Sequence, residues 1–244
     1  MHRSDAGHGH AGTPSLNGAR ADLQSPTAAL AVSNLSHAFA GQAVLQDITF
    51  RIDAASHMLL LGPSGSGKST LINLITGILP CQSGAIHIAG EPMSGANGRQ
   101  RDDLRRRRIG VVFQSLRLVS ALTVRRNLHL AQKLATGSSV PEQVDALLDR
   151  LGIRHRADAP LRKLSQGQLQ RAAIGRALIG APDLLVADEP TSALDDANAA
   201  STIDLLLETA AAQGTSLLVA THDKRIMDRI SHQLVLTDHS RIAA

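Results

Sequence analysis

A glycine-rich segment at residues 62–69, Gly-Pro-Ser-Gly-Ser-Gly-Lys-Ser, constrains what this chain can fold into more than any other feature. An apolar run precedes it at residues 57–61 and an apolar-periodic run follows it at residues 70–78, which predicts strand, loop and helix in that order. Glycines let such a loop curl so that its backbone N–H groups point at phosphates, and the helix N-terminus adds partial positive charge. The full pattern in this context therefore predicts a phosphate-binding loop rather than a chance glycine-rich turn.

Two side chains of this loop have specific predicted roles. The Lys68 ammonium supplies a compact cation for the β- and γ-phosphates, and the Ser69 hydroxyl suits a Mg²⁺ ion. The residues predicted to bind the nucleotide are Gly62, Pro63, Ser64, Gly65, Ser66, Gly67, Lys68, Ser69 and Thr70.

Two adjacent carboxylates, Asp188 and Glu189, end an apolar run at residues 184–187. Where such a strand ends beside a phosphate loop, Asp188 could hold the magnesium, usually through water. Glu189 could then orient and activate a water for in-line attack on a γ-phosphate. Taken alone, the pair is as consistent with two solvated carboxylates that begin a loop. Together with the phosphate loop, it favours the functional role.

Composition places the chain among ordinary globular proteins. Its 244 residues are 43% hydrophobic and 19% charged, enough for one large domain or two small ones. No apolar run approaches the roughly 18 residues that span a bilayer. The single cysteine, Cys81, excludes an internal disulfide and a cysteine-based zinc knuckle, and it favours a reducing compartment. Residues 1–28 are predicted to be a flexible tail without a secretory signal, whose three histidines are solvated rather than metal-binding.

Charge is concentrated in one segment. The chain carries a net charge of +4, whereas residues 99–126 alone hold nine arginines and two aspartates, which sum to +7. This basic patch is predicted to be a solvated helix end, and the alternative is contact with anionic lipid headgroups or an acidic partner segment. The chain has no Trp, no Tyr and three Phe, too few aromatics for the base stacking of single-strand binders, so we expect no nucleic-acid partner.

Hydrophobic periodicity predicts alternating strands and helices. Late apolar runs are typical of parallel strands buried on both faces, and early alternating runs are typical of antiparallel strands. The fold class predicted is α/β, with a mainly parallel core sheet, an N-terminal antiparallel β subdomain and an inserted helical subdomain at about residues 115–165. The predicted strands are 30–35, 48–52, 57–61, 85–89, 109–113, 184–187, 216–220 and 233–237, and the predicted helices are 68–78, 124–135, 142–151, 167–179, 196–213 and 224–230.

The segment Leu-Ser-Gln-Gly-Gln at residues 164–168 precedes one of these helices. A serine and a glycine at a helix start form a good N-cap and also an anion-binding geometry. Alone, the segment indicates only an N-cap. Ser165 of this segment lies 97 residues after Lys68 and before Asp188. The order of these motifs along the chain indicates function more strongly than the segment does alone.

In this order, the motifs resemble those of the nucleotide-binding subunits of ABC transporters, which have the P-loop nucleotide-hydrolase fold. The resemblance covers about residues 30–240 and implies one domain at 29–244. Its motifs are Phe39, the phosphate loop, Gln114, the signature segment 164–168, the Asp188–Glu189 pair, the loop 192–195 and His222 in Thr-His-Asp at 221–223.

The resemblance implies a role for each matching position. Phe39 stacks on adenine in place of the more common tyrosine. Gln114 senses Mg²⁺ and the attacking water, so that Ser69, Gln114 and Asp188 form the metal set. His222 contacts the γ-phosphate and positions Glu189. Ser165, Gly167 and Gln168 of the signature act on the nucleotide of a second subunit, with Asp195 at the same interface. The active unit is thus expected to be a homodimer around two ATP molecules.

Within the family, the segments 108–114, 186–191 and 221–228 are similar to the lipoprotein-releasing and macrolide-exporter group, and the last also to heterocyst glycolipid exporters. This similarity implies an ATP-hydrolysing subunit on the cytoplasmic face of the inner membrane, bound to integral-membrane permease subunits. The alternatives are an importer subunit or, less favoured, a soluble ABC ATPase. A non-hydrolysing scaffold is disfavoured because Lys68, Glu189 and His222 are all present.

Two positions depart from the family pattern. Gln166 stands where a glycine is common, and residues 237–240 lack the usual Asp-Gly turn. We expect Gly167 to be the position where a phosphate passes too close for a Cβ, with the Gln166 side chain pointing aside.

Overall fold

Two sheets of different type form the framework of the computed structural model, which describes residues 28–192, 194–222 and 227–237. An antiparallel sheet has the order β2-β1-β4-β5, and a parallel sheet has the order β6-β7-β8-β3-β9. The strands are β1 (Ala28–Phe39), β2 (Gln42–Asp53), β3 (His57–Leu61), β4 (Ser83–Ile88), β5 (Glu91–Pro92), β6 (Ile109–Val112), β7 (Leu184–Asp188), β8 (Ser216–Ala220) and β9 (Gln233–Val235).

Six α-helices cover these sheets in the described part of the chain, and no helix there is long and apolar enough to cross a membrane. They are α1 (Lys68–Ile75), α2 (Gly98–Arg108), α3 (Val124–Thr136), α4 (Pro141–Arg150), α5 (Gln166–Leu178) and α6 (Asp196–Gln213). Two 3₁₀ turns, Arg154–Arg156 and Leu161–Lys163, lie between α4 and α5.

The parallel sheet separates two apolar cores. Successive side chains on a strand point to opposite faces. In β3, Leu59 and Leu61 therefore join the core beneath α3–α6, whereas Leu60 joins the core shared with α1 and the antiparallel sheet. β7 and β8 alternate in the same way, and every residue of β8 is buried. The predicted two-sided burial of these strands is confirmed.

The first two strands are longer than predicted. β1 and β2 form one hairpin with Phe39 paired to Gln42, so the strands extend well beyond the predicted runs at 30–35 and 48–52. The pairing contains several register shifts, which break the period-2 alternation of apolar residues. That interruption is why hydrophobic periodicity identified only the regular part of each strand.

Helix α2 was not predicted from the apolar pattern, because Leu104 is its only buried residue. Its start is fixed locally: the Asn97 side chain accepts from the backbone N–H of Gln100, and the Gln100 side chain accepts from the backbone N–H of Asn97. A capping box of this kind is readable from sequence, although it specifies only where a helix begins.

The arginines of α2 attach it to the rest of the protein. Arg108 bonds both Glu91 and Asp183, at 2.8 and 3.1 Å, and Arg107 bonds Glu91 at 3.0 Å and Asp103 at 2.9 Å. Further pairs join Arg105 to Asp102, Arg106 to Asp103, and Arg125 to Asp145 and Asp158. Much of the predicted basic patch is thus neutralised within the chain.

The region between β6 and α5 is helical, as predicted. Helices α3 and α4 pack on α5, and Arg125 at the start of α3 bonds Asp145 in α4 and Asp158 beyond it. An isolated bridge between Thr123 and Pro160 closes this region on itself. The bounds 115–165 and 29–244 stay predictions. Residues 1–27 of the predicted tail and residues 224–226 of the predicted helix at 224–230 lie outside the described residues, and of the described residues 227–230 only Met227 is helical.

The close contact between Gly110 in β6 and Ala177 in α5 predicts how a substitution there changes the stability of the protein. A Cβ on Gly110 would collide with the backbone carbonyl of Ala177, which cannot move without shifting α5. We expect Gly110→Ala to lower the free energy of unfolding by about 2 kcal/mol, as overpacked cores do. Chemical denaturation measures it. The matched control is Gly98→Ala, whose Cβ would find its nearest atom at 4.0 Å and should not destabilise. Equal stability of the two variants would contradict this.

Candidate functional site

The phosphate loop runs from the carboxyl end of β3 into α1 through three glycines with positive φ, Gly62, Gly65 and Gly67, where another residue would be strained. Gly67 caps α1 in the left-handed region at φ 93°. Gly62 has φ 154°, and a Cβ there would lie 2.5 Å from Ser66 Oγ and 2.7 Å from the Leu236 carbonyl oxygen. These constraints give the loop one compact shape, with the N-terminus of α1 facing its interior.

Lys68, the first residue of α1, folds back over the loop. Its ammonium donates to the carbonyl oxygens of Gly62 at 2.7 Å and of Pro63 at 3.0 Å. The cation is therefore held at the mouth of a curled backbone, where a phosphate oxygen would be a stronger, charged acceptor. The predicted pairing of a glycine cradle with a lysine is present in the geometry.

A cavity of about 660 Å³ opens over this loop and brings most of the predicted site together. Gln114, Asp188, Glu189 and His222 line it from the ends of β6, β7 and β8. The rest of its lining is Val44 and the loop residues Pro63, Ser64, Gly65, Gly67, Lys68, Ser69 and Thr70. Gly62 and the buried Ser66 lie beneath the surface of the cavity.

Glu189 is the most firmly held carboxylate in this cavity. Its backbone N–H donates to the Ala220 carbonyl at 2.9 Å, and its φ of 48° turns the chain sharply at the end of β7. The Thr221 hydroxyl donates to Oε2 at 3.3 Å, and His222 Nδ1 lies 2.8 Å from Oε1. The Glu189 side chain is 13% exposed, whereas that of His222 is 71% exposed. Histidine and glutamate are thus paired at the cavity wall, as the resemblance implies.

Asp188, which is half-buried, has a carboxyl group whose charged form is disfavoured. Burial raises the pKa of its carboxyl above the ordinary value, the neighbouring Glu189 carboxylate raises it further, and Lys68 opposes the shift. A buried carboxylate disfavoured as an anion is a fitting partner for an added cation. The hydroxyl, amide and carboxyl oxygens of Ser69, Gln114 and Asp188 all line the cavity and are the hard donors that Mg²⁺ prefers, so these residues fit the ion.

Gln114 is linked to the backbone of Glu189 through Ser192. Gln114 Nε2 donates to Ser192 Oγ at 3.4 Å, and that hydroxyl donates to the Glu189 carbonyl at 3.1 Å. A continuous polar connection therefore joins the residue after β6 to the turn after β7. Sequence analysis assigned no role to Ser192 or Thr221, although both lie in segments that it singled out.

The signature segment and Phe39 do not line this cavity. Ser165 and Gln168 form a capping box at the start of α5, with the Ser165 hydroxyl accepting at 3.3 Å and the Gln168 side chain accepting at 3.1 Å. Phe39 is 48% exposed at the β1–β2 turn and packs edge-on against His37. A Cβ on Gly167 would find its nearest atom, Asn198 Oδ1, at 3.7 Å. Nothing in the described chain excludes it, so its predicted contact with phosphate stays a prediction.

One larger hollow, of about 750 Å³, lies beside α2 and lacks the features of a site. Its carboxylates, Glu91 and Asp103, are both bonded by Arg107 within the lining itself. Val44 lines the phosphate-loop cavity, yet it lies outside every strand predicted from the sequence and no motif marked it.

The raised pKa of Asp188 predicts how stability depends on pH. The folded protein holds this proton more tightly than the unfolded chain, so stability is lost as pH rises through the folded-state pKa. We therefore expect Asp188→Asn to raise the Tm at pH 7.5 in EDTA, and the gain to shrink as pH falls towards about 4, the unfolded pKa. Asp158→Asn, which loses the charge of a 3.0 Å ion pair with Arg125, should show no gain in Tm. A Tm of Asp188→Asn at or below the parent's would refute this.

Comparison with known proteins identifies the family of this chain. Residues 45–192 match a family model described as ABC transporter. Over 198 residues, the chain is 39% identical to the lipoprotein-releasing system ATP-binding protein LolD 2 of Rhodospirillum rubrum, which covers 80% of this chain and 86% of that protein.

Solved structures of ATP-binding cassettes share the fold. The ADP- and phosphate-bound dimer of the cassette MJ0796 superposes with a TM-score of 0.77 at 26% identity, covering 88% of this chain and 97% of that one. CbiO1 of Clostridium perfringens, part of an ABC transporter complex, gives 0.80 at 29% identity, covering 89% and 88%. The predicted resemblance and fold class are confirmed: the chain belongs to the ABC transporter family, as an ATP-hydrolysing, nucleotide-binding subunit.

Proposed function

We propose that this chain is the motor subunit of an export or lipoprotein-releasing system, in which a dimer closes around two ATP molecules and drives a separate membrane permease. The observation that best supports ATP hydrolysis is the Glu189–His222 pair at the wall of the phosphate-loop cavity. The direction of transport rests on the 39% identity to a lipoprotein-releasing ATPase. The proposed place of the subunit is the cytoplasmic face of the inner membrane.

Binding of ATP begins at the loop. The backbone N–H groups of residues 64–68 and the N-terminus of α1 surround the phosphates, and Lys68 exchanges its two carbonyl partners for β- and γ-phosphate oxygens. Phe39, exposed at the hairpin turn, stacks on the adenine. Ser69, Gln114 and Asp188 would hold a Mg²⁺ ion, which would supply positive charge beside the phosphates.

Hydrolysis then depends on Glu189. Its carboxylate accepts a proton from a water as the water oxygen bonds to the γ-phosphorus, and the bond to the bridging oxygen breaks to leave ADP and phosphate. Thr221 and His222 fix both carboxylate oxygens, so the base is oriented before the water arrives. With Nδ1 engaged by Glu189, the second ring nitrogen of His222 is directed to the γ-phosphate.

A second copy of the chain would complete each site. Ser165, Gly167 and Gln168 lie outside their own subunit's cavity, at the start of a helix whose N-terminal N–H groups suit an anion. The room around Gly167, whose Cβ would reach only Asn198 Oδ1, leaves a partner's γ-phosphate as the reason for a glycine there. Dimeric states of the similar cassette MJ0796 support this arrangement.

An apolar groove supports docking of the permease. Phe113, Ala131, Leu134 and Ala135 line it beside the arginines 105–107 of α2, and Leu134 is 56% exposed. Large exposed apolar side chains rimmed by charge mark protein contacts. The groove lies between the segment that carries Gln114 and helix α3, so a permease segment seated there would contact both the nucleotide site and the helical region.

Glu189→Gln tests the chemistry. Lys68, Ser69 and the loop amides are untouched, so ATP binding should persist, while turnover falls by about 100-fold or more because the water is no longer activated. Single-turnover hydrolysis and nucleotide affinity measure the two effects, and size-exclusion chromatography should show an ATP-dependent dimer. Glu142→Gln, a surface carboxylate of α4, is the control. Near-normal hydrolysis in Glu189→Gln would remove Glu189 from this role.

Leu134→Glu tests the docking groove. The substitution places a charge on an exposed apolar position, so folding and the hydrolysis rate of the purified chain should be retained. In source cells, the variant should move from the membrane fraction to the soluble fraction, as immunoblotting would measure. Val235→Glu changes an exposed apolar residue on β9, outside the groove, and should stay with the membranes. Equal partitioning of both variants would argue against this docking surface.

A further inference from the structure

Arg176, near the end of α5, makes two contacts that the nucleotide chemistry described above does not use. Its guanidinium donates from Nη1 to the Arg117 carbonyl at 2.6 Å and from Nη2 to the Val111 carbonyl at 2.9 Å. Val111 lies in β6, and Arg117 lies three residues after Gln114. One side chain of the signature helix therefore clamps the strand before Gln114 and the loop after it.

The loop that Arg176 holds is conformationally costly. Leu116 and Arg117 follow each other with φ of 20° and 48°, in the left-handed direction that side chains with a Cβ disfavour. Residues in such regions cost about 1–3 kcal/mol each and persist only where their surroundings impose them. The Arg117 guanidinium lies 4.8 Å over the Phe113 ring, which adds a second restraint. These side-chain contacts, together with the backbone bond from Arg117 N–H to the Ser115 carbonyl, hold the loop in this shape.

Arg176 incurs a desolvation cost at this position because its charged group is partly buried. It is half-buried, no carboxylate among the described residues pairs with it, and both of its bonded partners are neutral carbonyls. Burial, followed by the charge of Arg117, lowers its pKa. A partly buried cation without an anion is a poor way to add stability, since an apolar side chain would avoid the desolvation. Its two directed bonds do fix backbone positions, because the guanidinium is planar and rigid.

The two bonds of Arg176 link the signature helix to the polar connection that runs from Gln114 to Glu189. From Arg176, the clamped loop leads to Gln114, then to Ser192 at 3.4 Å and on to the turn that carries Glu189. In the other direction, α5 runs ten residues back to Gln166, about 15 Å along its axis, to the signature segment. A shift of α5 would therefore reach the Gln114 loop directly through this side chain, in addition to the packing of α5 against Gly110 of β6.

We propose that Arg176 is a positioning residue that ties the signature helix to the Gln114 loop, so that Gln114 reaches the nucleotide site only while α5 holds the loop in place. This inference rests on the role proposed for Gln114. It makes the signature helix a support for its own subunit's site, in addition to its proposed contact with the nucleotide of a second copy.

The test compares Arg176→Met with Arg171→Met in the full chain. Arg171 lies on the same helix and also donates two bonds, to the Leu151 carbonyl at 2.9 Å and to Ser201 Oγ at 3.0 Å, but it does not contact the Gln114 loop. In Arg176→Met, we expect faster amide hydrogen exchange in residues 113–119 alone. In Arg171→Met, faster exchange should appear around residue 151 and not in the loop. Unchanged exchange of the loop in Arg176→Met overturns the proposal.

Kinetics then separate positioning from general destabilisation. Arg176→Met should lower kcat by about 10- to 100-fold, the scale of a misplaced group, while ATP affinity without Mg²⁺ is unchanged. Arg176→Lys keeps the charge and can bond one carbonyl, so it should recover part of the rate. Adding Arg176→Met to Gln114→Ala should cause no further loss, because both act through one group.

Each contrary outcome has a distinct meaning. If Gln114→Ala hydrolyses ATP normally, the proposed role of Gln114 is wrong, and this inference falls with it. If Gln114→Ala is impaired while Arg176→Met is not, or if the two losses add, only the positioning role is wrong. A kcat in Arg176→Met no lower than in Arg171→Met at equal Tm also overturns it.

Discussion

Parallel pairing of three neighbouring strands is the constraint on which the rest of the structure depends. β8 pairs with β3 on one side and β7 on the other, in a register that sets Leu60 and Asp188 opposite Ala220. The carboxyl ends of the three strands therefore lie side by side. The phosphate loop, Glu189 and the Thr221–His222 pair begin directly beyond those ends. The strand pairing is therefore enough to bring these segments, which are distant in sequence, into one cavity.

Motifs that are contiguous in sequence were predictable, and contacts between motifs were not. The loop at 62–69, Asp188 and Glu189 could be assigned from local pattern, and the structure places them around one cavity. The roles of Ser192 and Thr221 depend on hydrogen bonds to residues that only the fold brings near. Each segment has a single hydroxyl, and no pattern within it indicates which group that hydroxyl bonds.

Helix α2 shows a different limit of sequence analysis. Amphipathic periodicity detects helices that bury an apolar face, whereas α2 buries Leu104 alone and is attached by guanidinium groups to Glu91 and Asp183. Arginines of α2 are also six of the nine that gave the patch its apparent charge of +7. Several of the carboxylates that pair with arginines of the patch lie outside residues 99–126. The net charge counted over that segment alone therefore overstates the positive charge of the folded surface.

The way in which α2 is attached gives the molecule an uneven response to ionic strength. Its ion pairs are partly exposed, and at physiological salt the screening length is about 8 Å, shortening as salt is added. The parallel sheet and its two apolar cores lack this sensitivity, since their burial is stabilised or unaffected by salt. Concentrated salt would therefore weaken the ion-pair attachment of one helix while leaving the apolar cores beneath the nucleotide site intact.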